Sequence, residues 1–540
     1  MALGLPCERM SQSAKPGRKK KVPVPTSPEP EKDQKKQREQ ITRDMMRSIV
    51  TEPLLSQVKA ARPEDRFDVI ISLNELFSGG VEAAMKYVVQ RAADWKVKYH
   101  ELMPYLFACL TAQQILDLAQ EARDLTAKYG RSGSVVYRIW EDQEINATLT
   151  RSLSTVKADA AQRAFQAFGE GIVWAVLDSG IQGDHPHFKD TQPQFKEDSL
   201  SPVVHRDYTP DGRNTAKPDD PPKSDPSALI DRFGHGTHVA GIIAGCWTSS
   251  DPKGELVVGT EMRDESTDKT IPQRGDPLRF ISGVAPKTKL VSLKVIADVI
   301  GADATAKQTP GQGKVSWVLM AIDQIQRWNQ YGKRLLIHGV NMSLGYDFDP
   351  RWFACGQSPL CVEVDRLVRS GVAVVVSAGN GGYSSFVAAS GLVQSRYSDL
   401  SITDPGNADM AITVGSTHRE KPHLYGVSYF SSRGPTGDGR MKPDLLAPGE
   451  RIISCAAGAE AQKYKASGLP DVLYCELSGT SMAAPHVSGA IAAFLSVRSE
   501  FIGEPEQVKE IFKANTIDLH RAPSFQGAGL MDLMKVLQSV

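Results

Sequence analysis

Two runs of apolar residues, Val173-Trp174-Ala175-Val176-Leu177 and Val372-Ala373-Val374-Val375-Val376, constrain the fold more than anything else in the chain. Neither run alternates with polar residues, so both faces of each strand must be buried, as in a parallel sheet covered by helices on two sides. The first run stops at Asp178-Ser179-Gly180 and the second at Ser377-Ala378-Gly379-Asn380-Gly381-Gly382. In open α/β sheets ligand sites form at the carboxyl ends of strands, which makes Asp178 and Asn380 candidates for such a site. Leu290–Val295 and Ala411–Gly415 read as further strands, Val315–Trp328 has helical periodicity, and the stretch from Cys355 leads into a helix ending at Ser370-Gly371.

Ser478-Gly479-Thr480-Ser481-Met482-Ala483-Ala484-Pro485-His486 opens a helical run through Val487, Ala490, Ile491, Phe494 and Leu495. Free amides and the positive end of the helix dipole gather at such a terminus, so an oxyanion formed beside the Ser481 hydroxyl would be stabilised there. Gly-Thr-Ser is also a common helix cap. An alcohol attacks a peptide carbonyl efficiently only when a base takes its proton, and that base works best when a carboxylate fixes its tautomer. His235 lies between Gly234 and Gly236 at the entry to a small-residue apolar helix. Asp178 is the carboxylate candidate, and the Asn380 amide is placed to donate to the oxyanion, although Asn-Gly also makes an ordinary turn. His238 follows His235 by three residues without a third ligand at metal spacing, so it reads as a helix-packing residue, as does His486.

Taken in chain order, Asp178, His235, Asn380 and Ser481 with their flanking residues resemble the subtilisin-like serine proteases, or subtilases. Gly339-Val340-Asn341-Met342-Ser343-Leu344-Gly345, Tyr429-Phe430-Ser431-Ser432-Arg433-Gly434-Pro435 and Lys442-Pro443-Asp444-Leu445-Leu446-Ala447-Pro448-Gly449 resemble further family segments. The resemblance covers residues 150–540 and implies an α/β peptidase domain, a subtilisin-like parallel sheet flanked by helices. It implies a catalytic triad of Asp178, His235 and Ser481 acting through an acyl-enzyme. Asn380 would be the oxyanion donor, and Ser343, Leu344, Gly345 and Gly379 would bind substrate. Residues 60–145 read strand, helix, strand, strand, helix, strand, the split βαβ order of a ferredoxin-like α+β module. Placed before a subtilase, that module resembles the family's inhibitory propeptide, with Asp142–Arg151 as the connecting segment. Residues 1–45, carrying Arg18-Lys19-Lys20-Lys21 and a Pro-rich run, read as a disordered tail.

The expected activity is therefore hydrolysis of peptide bonds in a protein or peptide, by an enzyme made as an autoinhibited zymogen whose own N-terminal domain is its inhibitor. Two other readings stand beside it: a latent protease switch released by a partner, and a catalytically silent peptide-binding relative, which usually lacks a triad residue. An esterase would need Gly-x-Ser-x-Gly, which Ala483 breaks. A formal net charge of zero gives no sign of a nucleic-acid partner. No apolar run is long enough to suggest a membrane span. The first ten residues lack the apolar core of a secretory signal, so a cytoplasmic location is expected and export stays open. Cys355 with Cys361 and Cys455 with Cys475 are either loop-closing pairs or free thiols. No cofactor is needed for the chemistry. Structural calcium is conceivable for the family, but the carboxylates between Thr248 and Phe280 do not match its loop, and metal ligands stay unassigned. The stretch between Asp178 and His235 is expected to be a surface loop, and Tyr383–Thr403 a further insertion. Leu344, Ala378 and Gly379 suggest a pocket for an apolar or aromatic side chain, a preference that Asp347, Asp349 or Asp404 would reverse by pointing inward.

Overall fold

The computed structural model describes residues 49–141, 151–210, 223–248, 255–264, 269–297, 311–351, 353–387 and 393–540; the basic tail and the connecting segment 142–150 lie outside them. The chain divides into two units, the second beginning at Asn146.

In the first unit, strands β1 (Arg66–Leu73), β2 (Tyr99–Leu102), β3 (Tyr105–Thr111) and β4 (Val136–Glu141) pair in the order β2-β3-β1-β4, all antiparallel. Helices α2 (Val81–Asp94) and α3 (Ala112–Tyr129) pack on one face, where Val69, Ile71, Leu106, Leu110 and Ile139 are buried with Val88 and Ile115. The α3 start is a capping box: Thr111 Oγ1 accepts from the Gln114 amide at 3.2 Å and Gln114 Oε1 from the Thr111 amide at 2.8 Å. Periodicity did not flag α1 (Glu52–Ala60), which buries Leu54, Leu55 and Val58 in the same core. On the opposite face, one row of register runs His100, Phe107, Ile70, Trp140, and Trp140 stays 41% exposed.

The second unit is built on a seven-stranded sheet whose neighbours all run parallel. Its strands are β5 (Val173–Asp178), β6 (Arg206–Asp207), β9 (Lys289–Lys294), β10 (Gly339–Met342), β11 (Ala373–Ser377), β14 (Ile412–His418) and β15 (Leu445–Glu450), ordered β15-β14-β11-β10-β5-β9-β6. Two-residue alternation divides each strand between two cores. Trp174, Val176, Val375 and Val414 face α4 (His235–Ile243) and α7 (Thr480–Val497), contributing with Ile243, Val487, Ile491 and Phe494 to one core. Ala175, Leu177, Val374 and Val376 face α5 (Val315–Trp328) and α6 (Pro359–Arg369), with Ile322, Ile325, Val364 and Leu367. This is the two-sided burial that the unbroken apolar runs require. Helix α7 is long and apolar enough to cross a membrane by composition, but here it is 83% buried inside the fold.

Three stretches differ from their reading as polar insertions. The segment after Asp178 is not simply a surface loop: Phe188, Phe195, Val203, Val204 and the imidazoles of His185, His187 and His205 are buried, because aromatic rings recur along it and stack edge-on with Tyr474. The acidic stretch after Thr248 forms hairpin β7 (Val257–Asp264) and β8 (Lys269–Arg274). It extends a small sheet with β16 (Ile452–Cys455) and β17 (Val472–Leu477). Within Tyr383–Thr403, β12 (Tyr383–Val387) and β13 (Val393–Tyr397) form an antiparallel hairpin. Cys355, Cys361, Cys455 and Cys475 are free thiols. On β16 and β17 the register sets Cys455 opposite Tyr474 and Cys475 opposite Ser454, one position out of step.

The sheet edge at β14 and β15 is tied by a buried ion cluster. Lys442 Nζ donates to Asp444 Oδ2 at 2.6 Å, to the Ala411 carbonyl at 2.8 Å and to Thr413 Oγ1 at 2.9 Å, while Lys509 Nζ lies 3.2 Å from Asp444 Oδ1. One carboxylate thus compensates two ammonium groups out of water. Asp444→Asn is expected to cost about 3–5 kcal/mol, because it leaves buried positive charge unpaired. A lowered midpoint in thermal unfolding would register the loss, and an unchanged midpoint would contradict the assignment.

Candidate active site

Gly479, in extended backbone, precedes α7 and offers no side-chain cap, so Ser481 stands in the first turn without serving as the cap. The Thr480 amide donates to Asn380 Oδ1 at 2.9 Å and the Met482 amide to the Gly479 carbonyl at 3.0 Å. The Ser481 amide makes no bond among the described residues. Thr480 Oγ1 also donates to Asn380 Oδ1, at 3.0 Å, and accepts from the Gly379 amide at 3.1 Å. With its oxygen held twice by Thr480, Asn380 keeps an NH2 group that makes no hydrogen bond among the described residues, and it lines the same cavity as Ser481.

Pro485 inside α7 has no N–H to give the Ser481 carbonyl four residues earlier. Ser343 Oγ fills that place, donating to the Ser481 carbonyl at 2.8 Å, while Ser481 Oγ donates to the Ser343 carbonyl at 3.1 Å. Asn341 Nδ2 donates to Ser343 Oγ at 2.9 Å, and Ser488 Oγ to Asn341 Oδ1 at 2.9 Å. The proline thus couples the first turn of α7 to the segment after β10. At rest the Ser481 proton points to Ser343, not to His235.

His235 begins α4, and its Nδ1 bonds Asp178 Oδ1 at 2.8 Å; the Asp178 side chain is fully buried and that of His235 is 21% exposed. The Ser179 amide donates to the same carboxylate oxygen at 2.8 Å. A Cβ at Gly236 would stand 2.2 Å from the Gly180 carbonyl oxygen and 3.1 Å from Asp178 Cβ, so glycine there lets the helix meet the strand end. Burial presses the imidazole toward neutrality. The Asp178 charge and hydrogen bond, with the more distant Asp231 and Glu460, outweigh it and hold the His235 pKa above its ordinary value.

Asp231 escaped the sequence reading. Its carboxylate accepts from Ser179 Oγ at 2.9 Å, the Gly234 amide at 2.7 Å, and the Thr237 amide and hydroxyl at 2.8 and 2.6 Å. Ser179 Oγ in turn accepts from the Gly236 amide at 2.9 Å. Asp231 therefore fastens the start of α4 to the end of β5, fixing His235 against Asp178. Burial raises its pKa, opposed by those hydrogen bonds. The available signal was an Asp just before a glycine-flanked helix start, a common capping arrangement. Thr480 and Asn341 were likewise present in the motifs but unassigned.

A cavity of about 460 Å³ opens beside these groups, lined by His235, Ser343, Leu344, Gly345, Gly379, Asn380 and Ser481, with Val295, Ile296, Val315, Val318 and Leu360 as apolar walls. Asp347, Asp349 and Asp404 are not among its lining residues. Asp404 is buried and accepts from Asn407 Nδ2 at 2.8 Å, and Asp349 pairs with Arg351 at 2.6 Å. Lys314 also lines it, its Nζ 5.7 Å from the Trp317 ring. His238 and His486 are buried, bonded to the carbonyls of Cys475 and Met482 at 3.1 and 2.8 Å. Among the described residues no three His, Cys, Asp or Glu side chains are grouped to hold a metal ion.

With fold and site in view, the comparisons with known proteins place the chain. The subtilase family profile matches residues 169–529, well over half the chain, and the chain belongs to the subtilase family. It is a serine protease of that family, acting on protein or peptide substrates. It is similar to serine protease AprX of Bacillus subtilis (strain 168), 27% identical over 405 residues that make up 74% of each chain. The intracellular serine protease of Paenibacillus polymyxa is 27% identical over 402 residues, 74% of this chain and 89% of that one. Subtilisin E of Bacillus subtilis (strain 168) is 26% identical over 386 residues, 72% and 70% respectively.

Two outcomes follow from this geometry. Asp231→Ala removes the bonds that seat the start of α4 and is expected to lower kcat about 100-fold through misplacement of His235, with KM little changed; steady-state kinetics on a peptide anilide decide it. Burial holds His185, His205 and His486 at pKa about 4 and His187 and His238 at about 3, below the ordinary 6.5. The unfolded chain then takes up protons that the folded chain refuses. The stability these neutral imidazoles contribute is present above pH 6.5 and is lost as pH falls from there toward 4 for His185, His205 and His486 and toward 3 for His187 and His238. Urea midpoints should decline steeply across that interval, and a flat profile would contradict the burial of these rings in neutral form.

Proposed function

We propose that the chain is a serine endopeptidase in which Ser481 attacks the scissile carbonyl, His235 accepts the Ser481 proton and later delivers it to the leaving amine, and Asp178 orients the imidazole and balances its charge. The observation that carries the reading is the Nδ1-to-carboxylate bond of 2.8 Å fixing His235 beside a cavity that Ser481 and Asn380 also line. Attack begins when the Ser481 proton leaves the Ser343 carbonyl for His235 Nε2. The developing oxyanion is received by the Asn380 NH2 and the Ser481 amide, the two donors with no other acceptor. The substrate main chain pairs with Ser343-Leu344-Gly345, and an apolar side chain enters the cavity past Leu344 and Gly379. A water then attacks the acyl-enzyme carbonyl, giving its proton to His235, which returns it to Ser481 Oγ as the new carboxyl group leaves; the protons move among side chains, substrate and water, so the steps call for no cofactor.

The protease is made as a zymogen, with the first unit as its intramolecular inhibitor. The antiparallel order β2-β3-β1-β4 and the open apolar row Phe107, Ile70, Trp140 support that reading, since a sheet with helices on one side alone offers the other to a partner. The enzyme works inside the cell, a reading supported by the relative named as intracellular and by the six free thiols among the described residues.

Intact masses of the full chain and of Ser481→Ala, followed over time, test both claims. Loss of a fragment ending near Ile145 from the parent alone is expected. Equal trimming of both proteins would overturn self-processing. Asn380→Ala should lower kcat about 10²–10³-fold with KM nearly unchanged, whereas a change confined to KM would remove it from the oxyanion site.

A further inference from the structure

Beyond the cavity, the loop that carries Asn380 continues into a feature that the proposed chemistry does not use. Three residues on, Tyr383 opens the hairpin β12–β13, and it pairs in register with Tyr397, the last residue of β13. Their rings meet edge-on at 5.1 Å, Tyr383 meets Tyr429 at 6.1 Å, and Tyr429 meets Phe430 at 5.3 Å. The three tyrosines are 41%, 57% and 59% exposed, a contiguous aromatic shelf. The hydroxyls of Tyr383 and Tyr429 make no hydrogen bond among the described residues.

The shelf is held to the site. The Gly381 amide donates to Ser432 Oγ at 3.0 Å, the Gly382 amide to the Phe430 carbonyl at 2.9 Å, and the Ser398 amide to the Gly382 carbonyl at 3.0 Å. A Cβ on Gly382 would stand 2.0 Å from the Ser431 carbonyl oxygen, so only glycine lets the two loops meet. The Arg433 guanidinium, 5% exposed, lies 4.3 Å from the Tyr397 ring and 4.2 Å from the Phe525 ring, bracing the hairpin from beneath. Three residues of chain reach at most about 11 Å, which bounds the separation of Asn380 from Tyr383.

We propose that Tyr383, Tyr397 and Tyr429 form a second binding surface for the substrate polypeptide, taking up the residues that follow the scissile bond; this rests on the assignment of Ser481 and Asn380 made above. None of the three lines the cavity at Leu344 and Val318, where the acyl half is placed. A chain whose acyl half fills that cavity and whose carbonyl sits at Asn380 runs outward over the bare Gly381-Gly382 turn to the shelf. Tyrosine offers apolar ring surface with a polar tip at little conformational cost, which suits an extended unfolded segment with apolar side chains and free peptide groups.

The test uses the full chain after self-processing and three substrates with one common acyl sequence. The first ends in an anilide at the scissile bond, the second is the same anilide lengthened on its acyl side, and the third is a quenched peptide continuing past the scissile bond. In Tyr383→Ser/Tyr429→Ser, kcat/KM for the third substrate should fall about tenfold, chiefly through KM, with both anilides changed less than about twofold. Tyr383→Phe/Tyr429→Phe should keep most of the activity. An equal loss on all three substrates, a loss confined to the acyl-lengthened anilide, or no loss at all would overturn the proposal. Parent protein that cleaves none of them, or Ser481→Ala that cleaves all, refutes the underlying assignment of the nucleophile and removes this proposal with it.

Discussion

The burial of α7 against the parallel sheet is the constraint on which the rest depends. A predominantly apolar helix must be enclosed, and its enclosure beneath β10, β11, β14 and β15 brings its first turn to their carboxyl edge. Pro485 then withholds one backbone donor, and the carbonyl so released binds Ser343. A single imino acid in a core helix thereby joins the serine to the segment that the proposed scheme uses for substrate. Asp178 and Asn380 reach the same edge because β5 and β11 end there. The four groups converge through strand and helix ends, so their placement is a property of the sheet more than of any flexible loop.

Two distinct devices hold the imidazole. Asp178 meets it directly, and Asp231 seats the helix start that carries it. Both carboxylates are buried; Asp178 Oδ1 accepts from the Ser179 amide, and Asp231 from Ser179 Oγ, the Gly234 amide and the Thr237 amide and hydroxyl. Such an arrangement costs desolvation and returns a fixed direction for the Nδ1 proton, which general-base chemistry at Nε2 requires.

Much of the core was legible in the sequence because buried parallel strands leave unbroken apolar runs, and because glycines mark where His235 and its helix approach a strand end. Four of the seven strands, β5, β9, β11 and β14, and the helices α4, α5, α6 and α7 were anticipated from those signals, whereas β6, β10 and β15 were not read as strands. What escaped was information carried by pairing over long distance. The hairpin β7–β8 mixes polar and apolar residues, and the partner of β7, β17, lies some two hundred positions later, so no local pattern announced it. The imidazoles of His185, His187 and His205 looked like loop residues until Tyr474 and the Gly241 carbonyl supplied their surroundings. Asp231 was left without a role for the same reason: its acceptor role exists only once Ser179 and Thr237 have been folded onto it. The inward turn of Asp347, Asp349 or Asp404 could not be settled by composition, and Asp404 in particular is consumed by Asn407.

The central claim is that Ser481 is the activated hydroxyl. A serine-directed fluorophosphonate, applied before and after cleavage between the two units and followed by peptide mapping, examines that hydroxyl without assuming any substrate. The account predicts phosphonylation of Ser481 alone, abolished in His235→Ala. Label on another residue, or labelling of Ser481 that persists undiminished in His235→Ala, would contradict it.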